Sequence, residues 1–203
     1  MRSRQLVLAA VAGFTVIAAA ALGLSIIVSF GGMRIGGGGS SIGGPFTLVD
    51  DTGAPVTELV LQGKPSVIYF GYTFCPEVCP TTLNDLSRWM KALGPDADKL
   101  NYVFITIDPE RDTPKVMRAY VSAFDARIRG FTGTPEQIAK VADEYRVYYK
   151  RIPTTDGGYV MDHSAILYLM RPDETFVGTI AYQEDDAAAV GKLKKLAAQA
   201  ASS

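Results

Sequence analysis

Residues that bind soft metals are scarce in this sequence. Its 203 residues include two cysteines and one histidine. Structural zinc centres normally use four cysteine or histidine ligands, so these three residues alone do not make one. Any metal or thiol chemistry must therefore use nearly all of them.

An excess of charge of either sign is also missing. Twenty basic and 21 acidic side chains leave a formal net charge of -1. Proteins that bind nucleic acid usually carry a strong basic excess, so we expect no nucleic-acid partner. The length suits one ordinary domain plus an appendage, and 48% apolar residues suffice for a single core.

The N-terminal segment is the longest uncharged stretch. Residues 6–30 contain no charged side chain, and at ~1.5 Å rise per residue such a helix crosses a ~30 Å hydrocarbon layer. Arg2 and Arg4 precede it, whereas only Arg34 follows closely, which favours a cytoplasmic N-terminus. We predict a membrane anchor over residues 1–30. The alternative is a cleaved signal peptide, because residues 18–21 are small, although its apolar region is usually ~7–15 residues long.

The rest of the chain divides into a tether and a domain. Residues 31–44 are rich in glycine and serine and predict a flexible tether. Residues 45–203 then form the folded domain. We expect a single-pass protein of a bacterial inner membrane, with the lipid bilayer as a partner and the domain in the periplasm. A mitochondrial protein would carry a longer presequence rich in arginine and serine.

Hydrophobic patterns within the domain predict an α/β fold. Continuous apolar runs at residues 66–72 and 100–107 indicate buried strands, and hairpins are expected at residues 46–57 and 165–180. Helices are predicted after each buried strand, after Thr134 and over residues 185–201. For the second helix, the expected inner face is Val116, Tyr120 and Phe124. This order suits a thioredoxin-like (peroxiredoxin-like) domain with a mixed sheet between helices and one inserted helix.

Cys75 and Cys79 stand where the first buried strand gives way to a helix. In a helical turn, residues four apart share one face, with Cβ atoms about 5–6 Å apart. Unpaired N–H groups and the dipole at a helix N-terminus stabilise thiolates, which are both nucleophiles and metal ligands. A structural disulfide is the alternative, favoured by export. It would close a loop too short to stabilise the fold much.

His163 is the chain's single histidine and precedes a predicted buried strand. A lone histidine is more often an ordinary core or surface residue. At the same end of the sheet as two thiols, it becomes a candidate ligand. Thiolates select Cu(I), and imidazole suits both Cu(I) and Cu(II). We therefore predict one copper ion between Cys75, Cys79 and His163.

An acidic cluster follows the second buried strand. Asp108 and Asp112 lie in the sequence DPERDTP. One interpretation is a rigid turn with a helix cap at Thr113 and solvating charges. Another is an acidic rim near the site that serves partner docking. A third is a supporting shell around the metal ligands.

These segments together resemble the Sco (SenC) family of copper proteins, which assist cytochrome c oxidase assembly. The matching stretches are residues 63–83, 103–114, 131–138 and 159–170. The resemblance implies that Cys75, Cys79 and His163 bind copper. It also implies that the protein receives copper from a donor protein and loads the binuclear copper site of oxidase subunit II, or another copper acceptor. Loading would proceed by metal delivery or by reduction of that subunit's cysteines. The predicted protein is a metallochaperone and not an enzyme, although a dedicated thiol–disulfide reductase activity stays open.

Three other functions compete with this one. A thiol–disulfide oxidoreductase would use the same thiols, although thioredoxin-type catalysis has two residues between its cysteines rather than three. A peroxiredoxin-like peroxidase is expected to carry threonine where Tyr72 stands. A redox or copper sensor acting on a membrane partner fits the sequence as well as a chaperone does.

Overall fold

A computed structural model describes residues 42–202 of the chain. The predicted anchor and nearly all of the predicted tether lie outside these residues. Among residues 42–202, no helix is both long and apolar enough to cross a bilayer.

The strands in the described part of the chain are β1 (Thr47–Asp50), β2 (Pro55–Thr57), β3 (Ser66–Gly71), β4 (Asn101–Thr106), β5 (Ile128–Thr132), β6 (Tyr149–Pro153), β7 (Tyr159–His163), β8 (Ile166–Met170) and β9 (Phe176–Ala181). Seven of them form one mixed sheet in the order β2-β1-β5-β4-β3-β8-β9, and β6 and β7 pair only with each other. β3, β4 and β5 run parallel, and the remaining pairs are antiparallel. The predicted mixed sheet is confirmed.

Four α-helices accompany the sheet in the described part of the chain. They are α1 (Val78–Leu93), α2 (Pro114–Ser122), α3 (Pro135–Glu144) and α4 (Asp186–Ala197). Thr113 caps α2 by accepting a hydrogen bond from Val116 N–H, and Thr134 with Gln137 forms a capping box at the start of α3. The expected inner face of α2 is wrong at Val116, which is exposed. Met117 and Val121 are buried instead, one position further along the helix.

Two features of the fold were not predicted from the sequence. β5 lies between β4 and β1 and completes the parallel part of the sheet. β6 and β7 form an antiparallel hairpin with no ladder to the large sheet. Four of the five residues of β6 are exposed, so the strand lacks the apolar run or alternation that reveals a strand in a sequence.

β3 occupies the position that matters for the site. All six of its residues are buried, and it pairs with β4 on one side and antiparallel with β8 on the other. Its carboxyl end leads directly into the loop that carries the first cysteine. Because β8 runs antiparallel to β3, the start of β8 lies at the same end of the sheet as the carboxyl end of β3.

Candidate metal centre

Cys79 is the second residue of α1 and is completely buried, with 0% exposure. Its sulfur occupies space that a side chain at residue 71 would need. A Cβ atom built on Gly71 would lie 2.8 Å from Cys79 Sγ and 2.7 Å from the Phe104 ring. The missing side chain of Gly71 therefore lets the start of α1 approach β3 closely.

Cys75 lies in the turn before α1, not within the helix as the predicted helical turn implied. Its Sγ accepts a hydrogen bond from Cys79 N–H at 3.3 Å. Glu77, at the cap position, makes no side-chain cap. The sulfur of Cys75 thus satisfies one of the N–H groups that a helix N-terminus leaves unpaired.

His163 ends β7 and faces the cysteines from the separate hairpin. Its Nε2 lies 3.4 Å from Cys79 Sγ, and its Nδ1 lies 3.0 Å from the Ser164 carbonyl oxygen. Because a carbonyl only accepts, this contact assigns the proton to Nδ1 and leaves the Nε2 lone pair free for a metal. The Tyr72 ring packs edge-on against the imidazole at 5.9 Å between centroids.

The three candidate ligand atoms lie within 4.8 Å of one another. Two ligand atoms that each bind the same ion at about 2.0–2.3 Å are separated by nearly this distance. Two sulfurs and one imidazole nitrogen are soft to borderline donors, which fit copper. Cys75 and His163 also line a cleft of about 380 Å³ with Val160 and Glu77, so the site is reachable from one side.

The two thiols are not equivalent. A hydrogen bond from the Cys79 thiol, helped by one from Cys79 N–H, lowers the pKa of Cys75 to about 4, although partial burial opposes this. The same thiol–thiol bond, together with burial, raises the pKa of Cys79. Cys75 is therefore the thiolate in the metal-free protein, and Cys79 keeps its proton until a metal displaces it.

Asp112 is buried and fixes the loop that carries Cys75. Its carboxylate accepts hydrogen bonds from Thr73 N–H at 3.0 Å, from the Thr73 hydroxyl at 2.6 Å and from the Thr106 hydroxyl at 2.6 Å. Thr106 ends β4, so the bonds join the cysteine loop to the sheet.

Asp108 is also buried, with 1% exposure. It accepts from the Arg111 guanidinium and, at 2.8 Å, from the Tyr159 hydroxyl. The guanidinium lies over the Tyr159 ring at 3.8 Å and near the Phe74 ring at 4.7 Å. We call Asp108, Arg111, Tyr159 and Phe74 the clamp, because these residues tie the cysteine loop to the hairpin that carries His163. Neither Asp108 nor Asp112 forms an exposed acidic rim, because both carboxylates are inside the protein.

Comparison with known proteins identifies the family. The profile of the SCO1/SenC family matches residues 36–198. The chain belongs to the SCO1/SenC family. SenC from Rhodobacter capsulatus is 36% identical over 181 residues, which cover 86% of this chain and 82% of SenC. The mitochondrial SCO1 homolog 1 from Arabidopsis thaliana is 43% identical over 141 residues, covering 69% of this chain and 42% of that protein.

Solved structures of SCO1/SenC proteins share the fold. The copper-bound structure of ScoI from Bradyrhizobium japonicum is 50% identical, covers 77% of this chain and 99% of its own, and gives a TM-score of 0.72. Copper-bound yeast Sco1 is 39% identical, covers 76% of this chain and 87% of its own, and gives 0.71. These relatives hold copper on the thioredoxin-like fold seen here. The chain spans 42% to 55% of the length of three mitochondrial relatives.

Several residues that shape the site were not predicted. Gly71 admits Cys79, Thr73 links Asp112 to the cysteine loop, and Arg111 with Tyr159 forms most of the clamp. The sequence gives a signal for Gly71 alone among these residues, because a glycine there ends a strand of mostly large apolar side chains. The other roles arise from contacts between segments about 40 or more residues apart.

Proposed function

We propose that this SCO1/SenC protein is a copper metallochaperone that binds one copper ion through Cys75, Cys79 and His163. The observation that carries the proposal is the convergence of the three ligand atoms within 4.8 Å. Two thiolates suffice for Cu(I), and the imidazole adds the nitrogen that Cu(II) favours. The site is thus suited to either oxidation state.

The exposure of the three ligands suits a metal that is handed on. Cys79 is buried, whereas Cys75 and His163 are only partly buried and line the open cleft. An incoming thiolate would approach from the cleft and exchange with these two ligands while Cys79 still holds the ion. Cys75 and His163 would therefore leave the copper ion before Cys79 does.

A docking surface for the copper acceptor surrounds the cleft. Four of the seven exposed large hydrophobic side chains in the described part of the chain lie on the cysteine loop or on or beside the β6–β7 hairpin: Phe74, Tyr148, Ile152 and Val160. Ile152 and Val160 are direct cross-strand partners. Exposed apolar side chains grouped beside a site mark protein contacts.

The acceptor we propose is subunit II of cytochrome c oxidase, with its binuclear copper site, and the donor is another copper protein. Membership of a family whose copper-bound relatives are 39–50% identical supports copper as the cargo. The uncharged stretch at residues 6–30 supports anchoring in a bacterial inner membrane with the domain in the periplasm. Residues 31–44 would give the domain reach along the membrane.

Reduction of a partner disulfide is a second candidate function, favoured by the low pKa of Cys75. The Cys75 thiolate would attack the partner disulfide and form a mixed disulfide. Cys79 would then lose its proton and resolve it, which releases the partner as a dithiol and leaves a Cys75–Cys79 disulfide. Copper transfer and disulfide reduction use the same two cysteines. One protein molecule therefore cannot do both at the same time.

Copper stoichiometry of the reduced full-length chain tests the proposal. We expect one copper per chain in the wild type and weakened or altered binding in Cys75→Ser, Cys79→Ser and His163→Ala. Asp143→Ala, which changes a side chain that is 82% exposed, is the matched control and should bind as the wild type does. A reduced wild type that takes up no copper would overturn the chaperone proposal and leave the dithiol function.

A further inference from the structure

Tyr69 lies beside the metal centre but belongs to none of the contacts described above. It stands two residues before Gly71 on β3, so both residues face the same side of the sheet. That side meets Cys79, whose sulfur fills the space next to Gly71. The Tyr69 ring packs against Phe104 at 5.7 Å and against His163 at 6.4 Å between centroids.

The hydroxyl of Tyr69 has no hydrogen-bond partner in the described structure, although the residue is only 1% exposed. Buried hydroxyls nearly always have a partner, because an unpaired one has lost its water without replacement. An unpaired donor beside a metal centre therefore needs a physical explanation.

Cys79 and Thr82 are the polar side chains that influence this hydroxyl. Burial, and next the charge of Cys79, raise the pKa of Tyr69. The Thr82 hydroxyl already donates its proton to the Val78 carbonyl at 2.8 Å, so it can only accept. A cysteine sulfur that binds a metal is a thiolate, which is a much stronger hydrogen-bond acceptor than a neutral thiol.

We propose that Tyr69 is a positioning residue of the metal centre, whose hydroxyl donates a hydrogen bond to Cys79 Sγ once that sulfur is a copper-bound thiolate. This inference rests on the proposed copper function. Donation to the sulfur withdraws electron density from it and weakens its bond to Cu(II) more than its bond to Cu(I). Tyr69 thereby favours Cu(I) on the buried side of the site.

Tyr69→Phe tests the bond by removing one oxygen atom and keeping the ring. The matched control is Tyr102→Phe. Tyr102 is 2% exposed and its hydroxyl also lacks a partner, but the charged groups that act on it are Arg127, Asp125 and Asp98, not the thiols. Both variants lose an unpaired buried hydroxyl, so a purely structural effect should be equal in the two.

The measurements are the sulfur-to-Cu(II) charge-transfer band and the copper reduction potential of the full-length chain loaded with one copper. In Tyr69→Phe we expect the band at lower energy and the ratio of Cu(I) to Cu(II) affinity reduced about tenfold, which is about 59 mV for a one-electron couple. Tyr102→Phe should match the wild type in both.

Two results would overturn the inference, and they differ in what else they affect. If Tyr69→Phe matched Tyr102→Phe in band and potential, Tyr69 would not contact the thiolate and Thr82 would be its acceptor, while the proposed copper function would stand. If the wild type bound no copper, the proposed function would fail and this hydrogen bond with it.

Discussion

The two sides of the metal centre are built differently. Cys79 is completely buried at the start of α1, against β3, an interior strand of the large sheet. His163 lies on a two-stranded hairpin that has no ladder to that sheet and whose first strand is largely exposed. One ligand is thus fixed by the core, and the other is held by a surface element. A carrier needs both, since a site that is rigid on every side would bind copper but exchange it slowly.

The clamp substitutes for a sheet ladder in holding the hairpin. Arg111 stacks on Tyr159 of β7 and pairs with buried Asp108. A guanidinium–ring contact is worth about 0.5–2 kcal/mol, much less than the burial of several apolar side chains. The position of His163 therefore depends on the clamp and on the buried side chain of Met161, whereas the position of Cys79 depends on the whole core.

The largest effect is expected from removing the ligand on the hairpin. His163→Ala should lower Cu(II) affinity more than about 100-fold, beyond the loss usual for residues that only support a ligand. Cu(I) affinity should fall less, because two thiolates remain. Competition titrations with chromophoric chelators for each oxidation state measure both. Unchanged Cu(II) affinity would remove His163 from the site.

Loosening the hairpin without removing a ligand should have an intermediate effect. In Arg111→Met the clamp loses its cation, and we expect Cu(II) affinity to fall about 10–100-fold while Cu(I) affinity changes little. The same titrations, on samples shown to be folded, measure this. Arg118→Met is the control, because Arg118 is exposed on α2. Equal losses for the two oxidation states would mean that the clamp does not act through His163.

On the core side, the sensitive position is Gly71. A methyl group in Gly71→Ala would press on Cys79 Sγ and Phe104, and such overpacking costs about 1–3 kcal/mol of unfolding free energy. Chemical denaturation of the metal-free protein measures the loss. Gly191→Ala, in α4 where a Cβ meets no atom within 4 Å, should be neutral or stabilising by up to about 1 kcal/mol. A fully stable Gly71→Ala would contradict the close approach of α1.

The smallest effect concerns protonation of the partly exposed thiol. Because the pKa of Cys75 is about 4, its alkylation rate in the metal-free protein should stay nearly constant from pH 8 to pH 5. Cys79→Ala removes the main hydrogen-bond donor, so the pKa of Cys75 should rise and the rate should fall over this range.

The same depressed pKa links Cys75 to stability. Its contribution is fully present above the pKa of the unfolded thiol, about 8.5, and is lost as pH falls toward 4. The unfolding free energy of the wild type should therefore fall more than that of Cys75→Ser between pH 9 and pH 4. A Cys75 that titrates near 8.5 would show that the thiol–thiol hydrogen bond is absent.

Sequence reasoning succeeded where a segment's pattern determines its structure. β3 and α1 follow from an apolar run and a helical stripe, and the scarcity of cysteine and histidine pointed to the three residues that converge. β5 and the β6–β7 hairpin were not predicted, because these strands are defined by their pairing partners rather than by their own composition. His163 was expected at the entrance to the strand after residue 164, whereas it ends a different strand.

The supporting residues of the site were harder to predict for a related reason. For Asp108 and Asp112 the sequence left open solvating charges, an acidic rim or a supporting shell near the site, and folding buries both and gives each several hydrogen-bond donors. Their partners come from other segments, such as Thr73, 39 residues before Asp112, and Tyr159, 51 residues after Asp108. Contacts over such separations leave no local pattern in the sequence.

The most direct test of the central claim is the ligand set of the bound metal. X-ray absorption spectroscopy of the full-length chain loaded with one Cu(II) counts the sulfur and nitrogen neighbours of the ion. We predict two sulfurs and one imidazole nitrogen, with the nitrogen lost in His163→Ala. A copper ion with fewer than two sulfur ligands, or a spectrum that His163→Ala leaves unchanged, would contradict the account.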